Sequence, residues 1–171
     1  IEGDALQKDW PRSCDLVILG SNCFYELANA DEQETCIRKA ARALKRGGHI
    51  YVDNDHMEGD LDPTWQVTGT REKRGLSGVC ADGTQVESFA ETLWFDAPGR
   101  LVRFQRWIEI TPPDGETTIY PYEQQKHPVS TGEVRGWLEQ NGFEIEQLFG
   151  DAQGSPYHDD SPRAIFWARK V

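Results

Sequence analysis

Two short polar segments follow apolar runs and carry residue types suited to ligand chemistry. The first is Gly20, Ser21, Asn22 and Cys23 after DLVIL, and the second is Asp53, Asn54, Asp55 and His56 after HIYV. Such apolar runs are typical of strands buried in a parallel sheet, and open α/β sheets bind ligands at the carboxyl ends of their strands. An amide can orient a ligand, and carboxylates can accept a proton. We therefore predict a small-molecule site in which Asn22 orients the ligand and Asp53 or Asp55 takes up a proton.

Plainer interpretations compete with this one. The first segment is also compatible with an ordinary strand-to-helix turn, and the second with a polar loop containing a capping aspartate. Cys23 is interpreted as a small thiol rather than a nucleophile, because GSNCF lacks the Gly-x-Ser-x-Gly pattern. Tyr120 and Tyr122 could wall the small-molecule pocket or simply pack in a sheet. His127 and His158 fall in predicted loops, where we expect them to face solvent.

The elements that must position the first two segments form a strand–helix–strand unit. The spacing predicts a strand over 15–20, and a helix with a cap at Asp31 and Glu34 follows it. Gly47 and Gly48 are expected to end that helix, and HIYVD over 49–53 is the second strand.

The rest of the chain has a different pattern. Turn signals between runs rich in β-branched and aromatic residues predict an antiparallel meander over about 65–122. A capping box at Ser130 and Glu133 predicts a helix that Asn141 and Gly142 close, and two terminal strands are predicted over 143–150 and 164–171. The fold class is thus α/β, and we expect one domain over 1–171 with an antiparallel insertion.

The net charge and the apolar content of the chain bear on which partners it can have. The 171 residues carry a formal charge of −11, which disfavours nucleic acid and anionic membrane surfaces as partners. No apolar run approaches the roughly 20 residues that a membrane span requires, so we expect a cytoplasmic protein. The four cysteines stand singly, without the spacing of a zinc site or a disulfide framework, and no metal is predicted.

Several segments, in order and spacing, resemble the downstream half of class I S-adenosylmethionine-dependent methyltransferases, in particular small-molecule N-methyltransferases of the glycine N-methyltransferase or aminosugar N,N-dimethyltransferase type. These segments are IEGDA at 1–5, CDLVILGSNCFYEL at 14–27, LKRGGHIYVDND at 44–55, and the ending that contains GDAQGSPY. The resemblance implies a Rossmann-like sheet of order 3-2-1-4-5-7-6, with an antiparallel insertion, and S-adenosylmethionine as cofactor.

The resemblance also implies roles for individual residues. Asp4 and Ala5 match the positions that approach the adenine, although Asp4 could instead cap a turn. Gly20, Ser21 and Asn22 match the region where the methyl donor meets its acceptor. From their positions in the predicted elements, the candidates for contact with the acceptor are Asn22, Asn54, Asp55, His56, Tyr120 and Tyr122. An arginine that holds a carboxylate in glycine N-methyltransferases aligns with Asp55, which favours a cationic or hydroxyl-rich amine.

One expected part of the family pattern does not occur in this sequence. The Gly-x-Gly-x-Gly loop and the ribose-binding acid would precede Gly3. We therefore expect a partial sheet without its first strands, an exposed edge on DLVIL, and self-association through that edge. The predicted function is methyl transfer to a small-molecule amine; a non-catalytic binding or oligomerisation module is the alternative. A carrier with Trp65, Trp94 and Trp107 lining a cavity is a third possibility.

Overall fold

The computed structural model describes residues 2–55, 58 and 61–171. These residues divide into two compact units, one from 1–59 and 127–171 and the other from 60–126. The second unit corresponds to the antiparallel insertion that the turn signals predicted at about 65–122. Within the described ranges, every helix is too short or too polar to cross a membrane.

The described residues form nine strands and two α-helices. The strands are β1 (Cys14–Leu19), β2 (Leu44–Asp55), β3 (Glu72–Lys73), β4 (Gly78–Val79), β5 (Gln85–Asp96), β6 (Leu101–Thr111), β7 (Thr118–Lys126), β8 (Phe143–Phe149) and β9 (Arg163–Lys170). The helices are α1 (Ala30–Ala43) and α2 (Thr131–Gln140).

The first unit is a four-stranded sheet in the order β1-β2-β9-β8. β1 and β2 are parallel, and the remaining pairs are antiparallel. This order reproduces the 4-5-7-6 part of the expected sheet and confirms the Rossmann-like α/β prediction. In the described part of the chain β1 pairs with β2 alone, and its side chains Leu16 and Ile18 are 42% and 62% exposed.

The core of the first unit lies between the sheet and both helices. Ile50, Val52 and Phe166 point from the sheet toward Ile37 of α1 and Leu138 of α2, and all five side chains are fully buried. Burial of each such side chain stabilises the fold by about 1.5 to 3 kcal/mol. This core fixes β2 against β9 and so fixes where the polar ends of these strands lie.

The start and end of α1 differ from the sequence prediction. Its N-cap is Asn29, whose side chain accepts from the Glu32 backbone N–H at 2.9 Å, rather than Asp31. The helix ends at Ala43, and Gly47, with a φ of 80°, lies inside the irregular first part of β2. A Cβ on Gly48 would stand 3.0 Å from the Cys14 carbonyl oxygen, so the glycine pair permits close strand contact rather than a helix stop.

The capping box that the sequence predicted for α2 is present. The Ser130 side chain accepts from the Glu133 backbone N–H, and the Glu133 carboxylate accepts from the Ser130 N–H. Asn141 closes the helix, and Gly142 follows with a φ of 80°. These local signals predicted the helix correctly because they require no distant partner.

The second unit is the predicted meander of β5, β6 and β7 with two short added strands. Trp65 packs edge-on against Phe104 at 5.7 Å, on the buried face of β6. Trp107 lies three positions from Phe104 and so points to the opposite face, where the Arg71 guanidinium stacks over its ring. The tryptophans of this unit therefore do not line one common cavity, contrary to the carrier interpretation.

Candidate functional site

The turn after β1 has an unusual backbone. Ser21 and Asn22 have φ values of 56° and 65°, both in the left-handed region that non-glycine residues adopt rarely. The Asn22 N–H donates to the Asp53 carbonyl at 3.0 Å, and the Ser21 N–H donates to the Asp53 carboxylate at 3.3 Å. Bonds to the neighbouring strand therefore hold the turn at the carboxyl ends of β1 and β2, where the sequence placed it.

The Asn22 side chain binds Asp55 at both ends of its amide. Its Nδ2 donates to Asp55 Oδ2 at 2.7 Å, and its Oδ1 accepts from the Asp55 N–H at 2.5 Å. Within this network the amide orients Asp55, and the second N–H of Nδ2 is the donor left for a ligand. Contact between Asn22 and an acceptor molecule stays a prediction.

Arg163, the first residue of β9, joins the two carboxylates. Its Nε and Nη2 donate to Asp53 Oδ1 at 2.7 and 2.6 Å, and its Nη1 donates to Asp55 Oδ1 at 2.8 Å. The three side chains are between 16% and 34% exposed. Arg163 falls between the two terminal strands that the sequence predicted over 143–150 and 164–171, and sequence reasoning did not include it in the site. The signal available was a basic residue opening a strand that could pair with one ending in Asp-x-Asp.

The carboxylates make the electrostatic potential at the turn negative. Burial raises the pKa of the Cys23 thiol, and the negative charges of Glu26 and Asp53 raise it further. The thiolate is therefore disfavoured, which supports the interpretation of Cys23 as an unreactive thiol. Burial, followed by the charge of Asp53, likewise raises the pKa of Tyr51.

Asn54 points to the opposite face of β2 from Asp53 and Asp55. Its side chain is 1% exposed, and both its amide oxygen and its amide nitrogen lack a hydrogen-bond partner within the described structure. A buried amide without partners costs about 1 to 3 kcal/mol. Asn54 thus lies beside the charged network without belonging to it.

Tyr25 connects the site to the segment before α2. Its hydroxyl lies 2.9 Å from the Asp55 carbonyl and 3.2 Å from the Val129 carbonyl, within donating distance of either oxygen. The Tyr25 carbonyl accepts from the His127 N–H at 2.7 Å. The His127 ring bonds to the buried Gln33 at 3.0 Å, so the expectation that His127 faces solvent was wrong.

Asp4 and Ala5 lie in a turn before β1. Asp4 Oδ1 accepts from the Leu6 and Gln7 N–H groups at 2.7 and 3.3 Å, which is the turn-capping alternative, and Trp10 Nε1 donates to the Ala5 carbonyl at 2.8 Å. The described hydrogen bonds do not join Asp4 or Ala5 to the Asp55 network. His56 lies outside the described residues, and Tyr120 and Tyr122 lie half-exposed on β7 of the second unit.

Comparison with solved structures identifies the fold. An S-adenosylmethionine-dependent methyltransferase from Clostridium acetobutylicum superposes with a TM-score of 0.71 at 13% identity, over 98% of this chain and 63% of that chain. Streptomyces venezuelae DesVI gives 0.67 at 15% identity, over 99% and 64%. The sugar N-methyltransferase KedS8 from a Streptoalloteichus species gives 0.65 at 19% identity, over 98% and 60%.

These likenesses show a shared Rossmann-like α/β fold. The chain spans 60 to 64% of the length of these three structures. No protein-family model matches the sequence, and no curated protein matches it.

Proposed function

We propose that this chain carries the acceptor side of an S-adenosylmethionine-dependent methyltransferase that methylates a small-molecule amine. The observation that carries the proposal is the network of Asn22, Asp53, Asp55 and Arg163 at the carboxyl ends of β1 and β2. That edge is where open α/β sheets bind their ligands. The fold it stands on is shared with methyltransferases.

The charge of the network supports an amine as acceptor. Two carboxylates face one guanidinium, so one negative charge is left over. The same negative potential contributes to the raised pKa of the Cys23 thiol. An ammonium group would neutralise this excess, whereas a carboxylate ligand would add to it.

The residues have defined tasks in such a reaction. S-adenosylmethionine, when bound, supplies an electrophilic methyl group. Asp55 accepts the proton of the ammonium acceptor, directly or through water, which frees the nitrogen lone pair for the new C–N bond. Asn22 and Arg163 each occupy one oxygen of Asp55 and so fix the carboxylate plane. Such positioning is the main source of catalysis where no covalent enzyme intermediate forms.

Two features fit the cofactor. A Cβ on Gly20 would meet only Ile18, at 3.4 Å, so the backbone is open to a ligand there. A pocket beside the first turn is lined by Gly3, Asp4, Ala5, Lys8, Asp9, Trp10 and Pro11. We assign Asp4, Ala5, Gly20, Ser21 and Asn22 to the cofactor on this basis.

Asn54, His56, Tyr120 and Tyr122 remain candidates for contact with the acceptor. Asn54 is the least accessible of the three that the structure describes, because it is 1% exposed, on the face of β2 opposite Asp53 and Asp55.

The cofactor assignment is tested by calorimetric titration with S-adenosylhomocysteine. The titration uses this chain and, where the gene encodes residues before Ile1, the longer protein. We expect binding, with a loss of about tenfold in Asp4→Asn because a charge-assisted hydrogen bond is removed. The control is Asp15→Asn, which removes the same charge from an exposed pair with Lys45 at the start of β1, outside the cofactor pocket. Absence of binding in every form would refute the assignment.

The acceptor assignment is tested with three sugars of different charge: glucosamine, glucose and glucuronate. Amide chemical shifts of the protein saturated with S-adenosylhomocysteine report their binding. We expect glucosamine alone to shift the resonances of residues 20–23 and 53–55, and Asp55→Asn to abolish the shift because the partner of the ammonium is lost. Equal response to glucuronate would contradict the amine proposal.

A non-catalytic assembly module is the second candidate function. It is favoured by one observation, the half-exposed Leu16 and Ile18 on an edge strand with a single described neighbour. Sedimentation of the wild type and of Ile18→Lys tests it, since a charge on the edge discourages strand pairing. A concentration-dependent dimer that Ile18→Lys dissociates would support assembly, and a monomer at all concentrations would exclude it.

A further inference from the structure

A second pocket of the first unit lies beside the last turns of α1. It encloses about 230 Å³ and is lined by Lys8, Asp9, Trp10, Arg12, Lys39, Arg42 and Ala43. Four cationic side chains against one carboxylate give it an excess of three positive charges. The chain as a whole carries a formal charge of −11, so this concentration of positive charge opposes the overall balance.

None of the four cations, Lys39 included, has an ion-pair partner among the described residues. The ion pairs among the described residues engage neither Lys8 nor Arg12 nor Arg42. Five arginines elsewhere pair with carboxylates, whereas Arg38, Arg46 and Arg103 have no ion pair among the described residues. The pocket differs in that four such cations line one concave surface with a single counter-charge, Asp9, and this arrangement favours a bound anion.

Lys39 holds the pocket together. Its ammonium donates to the Leu6 carbonyl and, at 2.9 Å, to the Lys8 carbonyl, so it ties the segment before β1 to α1. One of its three N–H donors is left for a ligand. Trp10 lines the pocket, is held by its own bond to the Ala5 carbonyl and packs partly against the core.

The helix dipole explains only part of this arrangement. Arg42 lies in the last turn of α1, where a cation is favourable. Lys8 and Arg12 are not on the helix, and the ammonium of Lys39 is directed to carbonyls of another segment. The convergence therefore depends on the tertiary fold.

The pocket is distinct from the Asp55 network, although Lys8, Asp9 and Trp10 also line the neighbouring pocket that we assign to the cofactor. Ala43 lines it and directly precedes β2, whose other end is Asp55. The 12 residues of this strand span roughly 35 Å. This pocket and the Asp55 network thus lie at opposite ends of β2.

We propose that this pocket binds a small molecule whose phosphate group or groups carry two or more negative charges. The guanidinium groups of Arg12 and Arg42 provide the forked donors that match phosphate oxygens, and Lys8 and Lys39 add ammonium donors. A single carboxylate would neutralise only one of the three excess charges. The Trp10 ring supplies an apolar wall for the group esterified to the phosphate.

Inorganic diphosphate is the probe that tests the proposal. It is titrated into this chain at about 50 mM salt, where screening is weak, with binding followed by calorimetry and by amide shifts of residues 8–12 and 39–43. Acetate at equal ionic strength is the monovalent control. We expect diphosphate to bind and acetate not to bind.

Two double variants locate the site. The first double variant, Arg12→Gln and Arg42→Gln, removes both guanidinium groups from the pocket. The second, Arg38→Gln and Arg46→Gln, removes the same charge from nearby exposed positions that do not line the pocket. We expect the first pair to weaken diphosphate binding by about tenfold and the second by less than about twofold. Unchanged thermal unfolding in both doubles shows that the fold is intact.

Equal weakening in both doubles would overturn the proposal, because it would show general attraction to positive charge. Acetate binding as tight as diphosphate, or no binding of diphosphate, would overturn it as well. Phenyl phosphate and inorganic phosphate distinguish a phosphate ester from free phosphate as the ligand. Tighter binding of phenyl phosphate supports an esterified ligand beside Trp10. Tighter binding of inorganic phosphate overturns the assignment of an ester.

Discussion

Two arginines of β9 make the same type of contact at opposite ends of the strand. Arg163 holds Asp53 and Asp55 of β2, and Arg169 holds Glu144 and Glu146 of β8. Each arginine pairs in register with one acid and reaches the other two positions away.

The surroundings of the two clusters differ. Around Arg163 the carboxylates also accept from the Asn22 amide and the Ser21 backbone, and Asp53 is only 16% exposed. Around Arg169 the side chains are 34 to 58% exposed, and the further partner of Glu146 is the His49 ring at 3.0 Å. The two clusters share one pattern of ion pairs. The comparison teaches that such a pattern holds its side chains in place only where neighbouring elements donate to the remaining carboxylate oxygens and reduce their exposure to water.

Replacement of each arginine by methionine tests this difference most directly. We expect Arg163→Met to lower the free energy of unfolding by about 2 kcal/mol, because it leaves two partly buried carboxylates facing each other. Arg169→Met should cost much less, as expected for exposed pairs. Urea denaturation measures both, and equal losses would break the comparison.

Asn22 contacts the Arg163 cluster, and the described Arg169 cluster has no corresponding amide side chain. Asn22→Ala should cost about 1.5 kcal/mol, since it removes both bonds to Asp55 and places alanine in a left-handed conformation. Asn22→Gly removes the same bonds without the backbone strain, so its cost should be lower by about 0.5 to 1 kcal/mol. Thermal unfolding of the two variants separates the contributions, and identical stabilities would show that the backbone is unstrained.

Added salt should lower the cost of Arg169→Met by a larger fraction than the cost of Arg163→Met. At about 1 M NaCl we expect the cost of Arg169→Met to fall nearly to zero, because exposed pairs are screened. The cost of Arg163→Met should keep more than about half of its value, since its partners are partly shielded from solvent. Repeating the urea titrations with and without salt measures this, and parallel losses at the two sites would count against the distinction.

Acidification should affect the exposed cluster through Glu146. Its bonds to Arg169 and then His49 hold the pKa of the Glu146 carboxyl below its ordinary range. The stability it contributes is present above its unfolded-state pKa and is lost as the pH falls through the lowered folded-state pKa. We expect Glu146→Gln to flatten the stability curve on the acid side, measured by urea denaturation between about pH 6 and pH 3. If Glu146→Gln and the wild type show the same dependence of stability on pH, the bonds of Glu146 to Arg169 and His49 do not contribute to acid-side stability.

Features specified by local sequence were predicted well. The strands β1, β2, β8 and β9 follow from their apolar runs, and α2 follows from the Ser130 and Glu133 box. The juxtaposition of Asn22 with Asp55 was also predictable, because parallel strands bring their carboxyl ends to one edge.

Features that depend on distant partners were not predicted. Arg163 joins the site through the register of β9 against β2, between residues 108 and 110 positions apart in sequence. The cap of α1 shifted from Asp31 to Asn29 because both residue types cap helices equally well. Gly47 matched a helix stop in the sequence, yet its left-handed φ serves the irregular start of β2.

The strand order also has a consequence for synthesis on the ribosome. β9 is the last strand of the sheet in chain order, yet it lies between β2 and β8 and pairs with both. The first unit therefore cannot close its sheet until residues 163–170 have been synthesised, whereas the meander of residues 60–126 pairs sequential strands and has its whole sequence available earlier. Short-range pairing forms faster than long-range pairing. During translation, we expect β1 and β2 to remain exposed the longest, and so to be the nascent segments that chaperones must protect.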